Sequence, residues 1–123
     1  MSTEKDFLET IARIEADVSG VIATAAVDLE SGMTLAAKSN RSDFDLTVAS
    51  AYNSELVKQK LKIMKALKLN AALEDMVLTL TDQIHVIKMF PGANSFLYLA
   101  ADRSSTNLAI LRNAIVKHTA DLT

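Results

Sequence analysis

The chain has no cysteine and no tryptophan, only one proline, and three glycines. Without cysteine there are no disulfides, no thiolate-held zinc or iron–sulfur cluster, and no thiol nucleophile. Two histidines, His85 and His118, are too few for an ordinary histidine-based metal site, so no metal and no cofactor is expected. So little glycine and proline leaves no room for a glycine-rich phosphate loop or a long disordered linker. Aromatic residues make up only 5% of the chain and the formal net charge is −2, a poor match to the basic, stacking surfaces that hold nucleic acid. No apolar run approaches the roughly 18 residues of a membrane span, so membrane insertion is not expected. Met1-Ser2-Thr3-Glu4-Lys5-Asp6 lacks the apolar stretch of a signal peptide, and the expected location is cytoplasmic.

What the chain does have is apolar residues. They make up 50% of its 123 residues. This length suits a single domain over 1–123, and a domain this small keeps much of its surface wet. The apolar share exceeds the need of one isolated core and points to a buried interface. The bland explanation is an alanine-rich interior, since 18 residues are Ala.

Thr3-Glu4-Lys5-Asp6 has capping-box spacing and opens a helix over about 4–17, with Phe7, Leu8, Ile11, Ile14 and Val18 at helical intervals. Gly20 suits its C-terminal end. Val21–Val27 is apolar on both faces and reads as a covered strand, with Val21, Ala23, Ala25 and Val27 opposite Ile22, Thr24 and Ala26. Asp28-Leu29-Glu30-Ser31-Gly32 is a hairpin turn into a second, more polar strand from Met33. Ser42 or Asp43 can cap a long helix over about 44–68, with Leu46, Ala49, Tyr52 or Asn53, Leu56, Ile63 and Leu67 near one stripe. Strands follow at Asp75–Thr81, Ile84–Phe90 and Ser95–Ala101. A last helix follows Ser104-Ser105-Thr106.

Short turns make antiparallel hairpins of strands one and two, three and four, and four and five. Strands one and five are apolar on both faces and belong at the centre. The predicted architecture is therefore an α+β sandwich: a five-stranded antiparallel sheet, order 2-1-5-4-3, with helices on both faces. Strand three then lies at an edge, yet Met76-Val77-Leu78-Thr79-Leu80-Thr81 has none of the devices that protect edges. Pairing with its own two-fold mate resolves the conflict, with helix two alongside its counterpart.

Several segments, in this order, resemble the roadblock / dynein light-chain domain family. They are Gly20-Val21-Ile22, the hairpin Asp28-Leu29-Glu30-Ser31-Gly32-Met33-Thr34-Leu35-Ala36, the tract Leu73-Glu74-Asp75-Met76-Val77-Leu78-Thr79-Leu80, and Thr106-Asn107-Leu108-Ala109-Ile110-Leu111-Arg112. The resemblance spans nearly the whole chain. One departure is Leu69-Asn70-Ala71-Ala72, where bacterial members often carry Gly. The resemblance implies a profilin-like sandwich, a homodimer formed through helix two and strand three, and binding to protein partners. In bacteria and archaea those partners are often Ras-like small GTPases, whose nucleotide cycle or location is regulated; eukaryotic members act as motor light chains and signalling scaffolds. Nucleotide chemistry belongs to the partner, and this chain has no G-x-x-x-x-G-K-[ST] segment.

The expected function is thus a non-enzymatic homodimeric adaptor for a protein such as a small GTPase; the alternative is a small-molecule sensor of similar architecture. The candidate dimer residues are Tyr52, Leu56, Ile63, Met76, Val77, Leu78, Thr79, Leu80 and Thr81. The candidate partner-binding residues are Lys58, Lys62 and Lys65, in a helix half that carries five of the thirteen cations. His85 is the one residue whose type suggests catalysis. Asp82 and Asp102 are its candidate partners, and a structural strand histidine is the simpler reading.

Overall fold

A computed structural model describes residues 2–123. The elements are α1 (Glu4–Asp17), β1 (Val21–Asp28), β2 (Thr34–Ser39), α2 (Leu46–Ala66), β3 (Asp75–Thr79), β4 (Gln83–Met89), β5 (Ser95–Asp102) and α3 (Leu108–Thr119). The strands form one sheet in the order β2-β1-β5-β4-β3, and every neighbouring pair is antiparallel. This is the predicted topology.

Local chemistry sets the ends of the elements. Thr3 caps α1 through a full capping box: its hydroxyl accepts from the Asp6 N–H, while the Asp6 carboxylate accepts from the Thr3 N–H at 2.8 Å. Gly20 then turns at φ +83°, and a Cβ there would stand 2.8 Å from the Ser105 Cβ, so only glycine fits. The capping residue of α2 is Asp45, which accepts from the Val48 N–H, and not Ser42 or Asp43. Asp43 is instead held by a bidentate pair with Arg41. Asn107 caps α3, one residue beyond the predicted Ser104-Ser105-Thr106.

The sheet separates two cores. On one side α1 and α3 pack with Phe7, Ile11, Ile14, Val86, Leu97, Leu99, Leu111 and Ile115. Phe7 and Phe90 stack at 5.5 Å there. On the other side Ala23, Ala25, Val27, Ile87, Phe96 and Tyr98 lie beneath α2. A bulge at Ile22 breaks the expected alternation of β1. The register steps from Val21↔Ala101 to Ala23↔Ala100, and Ile22 joins Ala23 on the α2 side.

The apolar stripe of α2 divides between core and surface. Leu46 is buried, but the rest of the buried line is Ser50, Ser54, Val57 and Met64, while Leu56, Ile63 and Leu67 face outward. The reason is spacing. Opposite the small alanines of β1, the short Ser50 and Ser54 pack inward beside Leu46, Val57 and Met64. The two serines are satisfied locally: Ser54 donates to the Leu29 carbonyl, and Thr34 donates to Ser50 at 2.9 Å. The β1–β2 hairpin is thereby fastened to α2.

Candidate interaction surface

With serines inward, the larger apolar residues of α2 are left outside. Val48, Tyr52, Leu56, Ile63 and Leu67 recur at helical spacing and are all exposed, Tyr52 at 74%. Scattered exposed apolar residues need no explanation, but a continuous stripe marks an interaction site. Val48 and Leu67 extend the candidate set from Tyr52, Leu56 and Ile63 at both ends. The same inward-serine pattern was the signal available in the sequence for finding them.

The stripe lies beside a sheet face that α2 does not fully cover. The helix backbone lies nearest β1 and β2, and β3 reaches its core only through side chains. Met76, Val77 and Leu78 are half-buried, Thr79 and Leu80 are exposed, and Thr81 is an exposed residue in the turn past the end of β3. Met76 and Leu78 contact the α2-side core, whereas Val77 packs on the α1–α3 side.

The two sheet edges differ. At β2 the register against β1 shifts between Ala26 and Val27, and Lys38 is paired with Glu15. A bulge and a charged residue are the ordinary protections of an edge. At β3 the register against β4 is regular from Asp75↔Lys88 to Thr79↔Ile84. There is no bulge, and the far side of the ladder is unpaired. Arg112 anchors the start of β3 to α3 through a bidentate pair with Asp75.

The three candidate lysines are not equivalent. Lys58 is half-buried, donates to the Glu30 carbonyl at 2.7 Å and lies 3.6 Å from Glu55, so it helps hold the hairpin. Lys62 and Lys65 are exposed on the same flank of the stripe. Among the described residues, Lys58 is the only lysine of α2 with a carboxylate in ion-pair reach. Lys65 also sits in the last turn, where a cation opposes the helix dipole.

His85 is half-buried, and neither Asp82 nor Asp102 bonds it. Its Nε2 lies 2.7 Å from the Gln83 Oε1, and its Nδ1 lies 3.1 Å from the Tyr98 hydroxyl. Phe44 and Tyr98 meet the ring edge-on. Burial pushes the His85 pKa down, against a smaller upward pull from the Asp82 charge. Burial likewise pushes Tyr98 up to about 12. Sequence reading could not find the Gln83–His85–Tyr98 set, because Tyr98 lies on another strand. Among the described residues no cluster of three or more His, Asp or Glu is disposed to hold a metal. No helix there is long and apolar enough to cross a membrane. An apolar groove of ≈ 460 Å³ lies between Leu73, Phe90, Pro91 and Val116.

No family model and no curated protein matches the sequence. Solved structures do match in shape. MglB of Myxococcus xanthus superposes over 100% of this chain and 89% of its own, with a TM-score of 0.87 at 16% identity. An MglB with a tetrameric arrangement gives 0.81 at 14% identity, over 97% and 85%. A Roadblock/LC7 domain from Streptomyces avermitilis gives 0.76 at 12% identity, over 88% and 87%. The chain therefore has the roadblock fold, as the resemblance in its residues implied.

Proposed function

We propose that residues 1–123 act as one non-enzymatic adaptor domain. It forms a homodimer through α2 and β3 and binds a protein partner, a Ras-like small GTPase, whose nucleotide cycle or location it modulates. Two observations carry this reading: the exposed stripe from Val48 to Leu67 on α2, and the regular, unprotected sheet edge at β3.

A two-fold axis at β3 would extend the sheet across both copies and set the two α2 helices antiparallel. Charge favours that arrangement. Asp43, Asp45 and Glu55 lie in or before the first half of α2, and Lys58, Lys60, Lys62 and Lys65 lie in its second half. Each lysine-rich half would face the acidic half of the mate. The exposed Lys62 and Lys65 would remain at the rim to steer an acidic partner. The tetrameric arrangement of an MglB supports self-association in this fold.

Sedimentation of the wild type and of Leu56→Glu tests the dimer. A dimer for the wild type and a folded monomer for the variant are expected, and a wild-type monomer would reject the reading. Affinity purification followed by mass spectrometry tests the partner. A small GTPase that depends on Lys62 and Lys65 is the expected result.

A further inference from the structure

His85 sits where the proposed dimer face meets the core. Its cross-strand neighbour on β3 is Leu78, which is half-buried at the open sheet edge. On its other side lies β5, with Ala100 opposite in register and the Tyr98 ring at 5.5 Å. The ring is thus the one imidazole on the sheet face that α2 leaves partly open, and a mate would cover it further.

Its hydrogen bonds fix one proton of the ring. The Gln83 Oε1 can only accept, so Nε2 carries the proton and donates to it. In the neutral ring Nδ1 is then a lone pair and accepts from the Tyr98 hydroxyl. The set continues onto α2: the Asn53 side chain acts on the Tyr98 hydroxyl, opposing the upward push of burial on its pKa, and the Asn53 Nδ2 donates to the Ala49 carbonyl at 2.8 Å. Tyr52, adjacent to Asn53 in the helix, belongs to the exposed stripe.

A second proton on His85 would turn Nδ1 into a donor. The Tyr98 hydroxyl would have to accept and turn its own proton elsewhere. That hydroxyl is on a residue only 1% exposed, so the proton needs a protein acceptor. The Asn53 amide can supply one only by rotating, which gives up its bond to Ala49. Protonation therefore disturbs β4, β5 and the seat of α2 together.

The surrounding charges do little to favour the cation. Asp82, in the β3–β4 turn, is the one carboxylate that acts on the ring, and Arg41 acts on Asp82 in turn. The segment before α2 offers Phe44, β3 offers Leu78, and β5 offers Tyr98 with its phenol kept neutral. We propose that assembly through the α2–β3 face is proton-linked: the dimer forms with His85 neutral and weakens when the ring becomes a cation. This rests on the dimer reading above.

The test is sedimentation equilibrium of the full chain at about pH 7.5 and about pH 5.5, at matched ionic strength. The wild-type dissociation constant should rise roughly tenfold or more at the lower pH, as expected when the two His85 rings, one in each copy, take up protons on separation. His85→Gln should be a dimer whose affinity barely changes between the two conditions. His118→Asn should keep the wild-type dependence. If His85→Gln does not fold, NMR titration of the wild-type His85 ring replaces it: its pKa should be lower at dimer-forming concentration than on dilution. A dimer with equal affinity at both pH values, or an unchanged ring pKa on dilution, overturns the linkage and leaves the dimer standing. A monomer at both pH values, at the highest soluble concentration, overturns the dimer and the linkage with it.

Discussion

Lys68 adopts φ +57°, a left-handed conformation that costs an L residue about 1 kcal/mol. It does so because α2 ends in a Schellman motif: the Leu69 N–H bonds the Met64 carbonyl, and the Lys68 N–H bonds the Lys65 carbonyl. The left-handed position usually held by glycine is thus filled by a lysine. Lys68→Gly should raise the stability by about 0.5–1 kcal/mol, read as a higher urea midpoint at constant slope. An unchanged or lower midpoint would contradict the strain. Thr24 makes a second case. It is fully buried on β1, and its hydroxyl has no hydrogen-bond partner among the described residues. Thr24→Val keeps the shape and removes the orphaned group, so a gain of about 1 kcal/mol is expected in the same assay. Sequence reading placed Thr24 in a covered strand but could not show that its hydroxyl goes unmatched, since that depends on which atoms α1 and α3 bring over it.

At the scale of elements, β3 and α2 carry the argument. The absence of edge protection in Met76–Thr81 was readable from the residues alone, because proline and lysine are visible in a sequence. The bulge that protects the other edge was not, since a bulge is a relation between two strands. Thr79→Lys places a charge on the open edge without touching either core. It should weaken self-association more than tenfold and shift Tm little; sedimentation and thermal melting read the two effects separately. The stripe on α2 divides in the structure: Leu46 is buried, while Tyr52, Leu56, Ile63 and Leu67 are exposed. A period of 3.6 finds two apolar faces on this helix, and hydrophobicity alone favours the face with larger residues. Packing chose the face with Ser50, Ser54 and Val57, because β1 opposite is built of alanine. The large residues were thereby released to the surface.

Across the whole molecule, stability should fall in two stages on acidification. Burial lowers the His85 pKa, so the unfolded chain takes up that proton first as the pH drops through about 6.5. The contribution is complete above that value and is lost progressively below it. A second loss should begin near the ordinary aspartate value of 3.8. Hydrogen bonds from Thr3, His118, Ser31, Arg41 and Ser104 hold Asp6, Asp17, Asp28, Asp43 and Asp102 below it. Urea midpoints across this range should show both stages, and His85→Gln should remove only the upper one. A wild-type profile flat between pH 7 and 5 would contradict the assignment of His85.

The sequence by itself determined the element order, the antiparallel hairpins and the central place of β1 and β5. These follow from periodicity, turn residues and strands apolar on both faces, all of which are local. Tertiary structure alone decided which face of α2 is buried, which lysine is engaged and which groups bond His85. Those outcomes depend on how closely two elements approach, and the Ala, Ser and Gly side chains that set the distance carry little signal of their own. The surplus of apolar residues is explained by both levels: alanine fills the covered strands, and the residues it displaces from the α2 core form the exposed stripe.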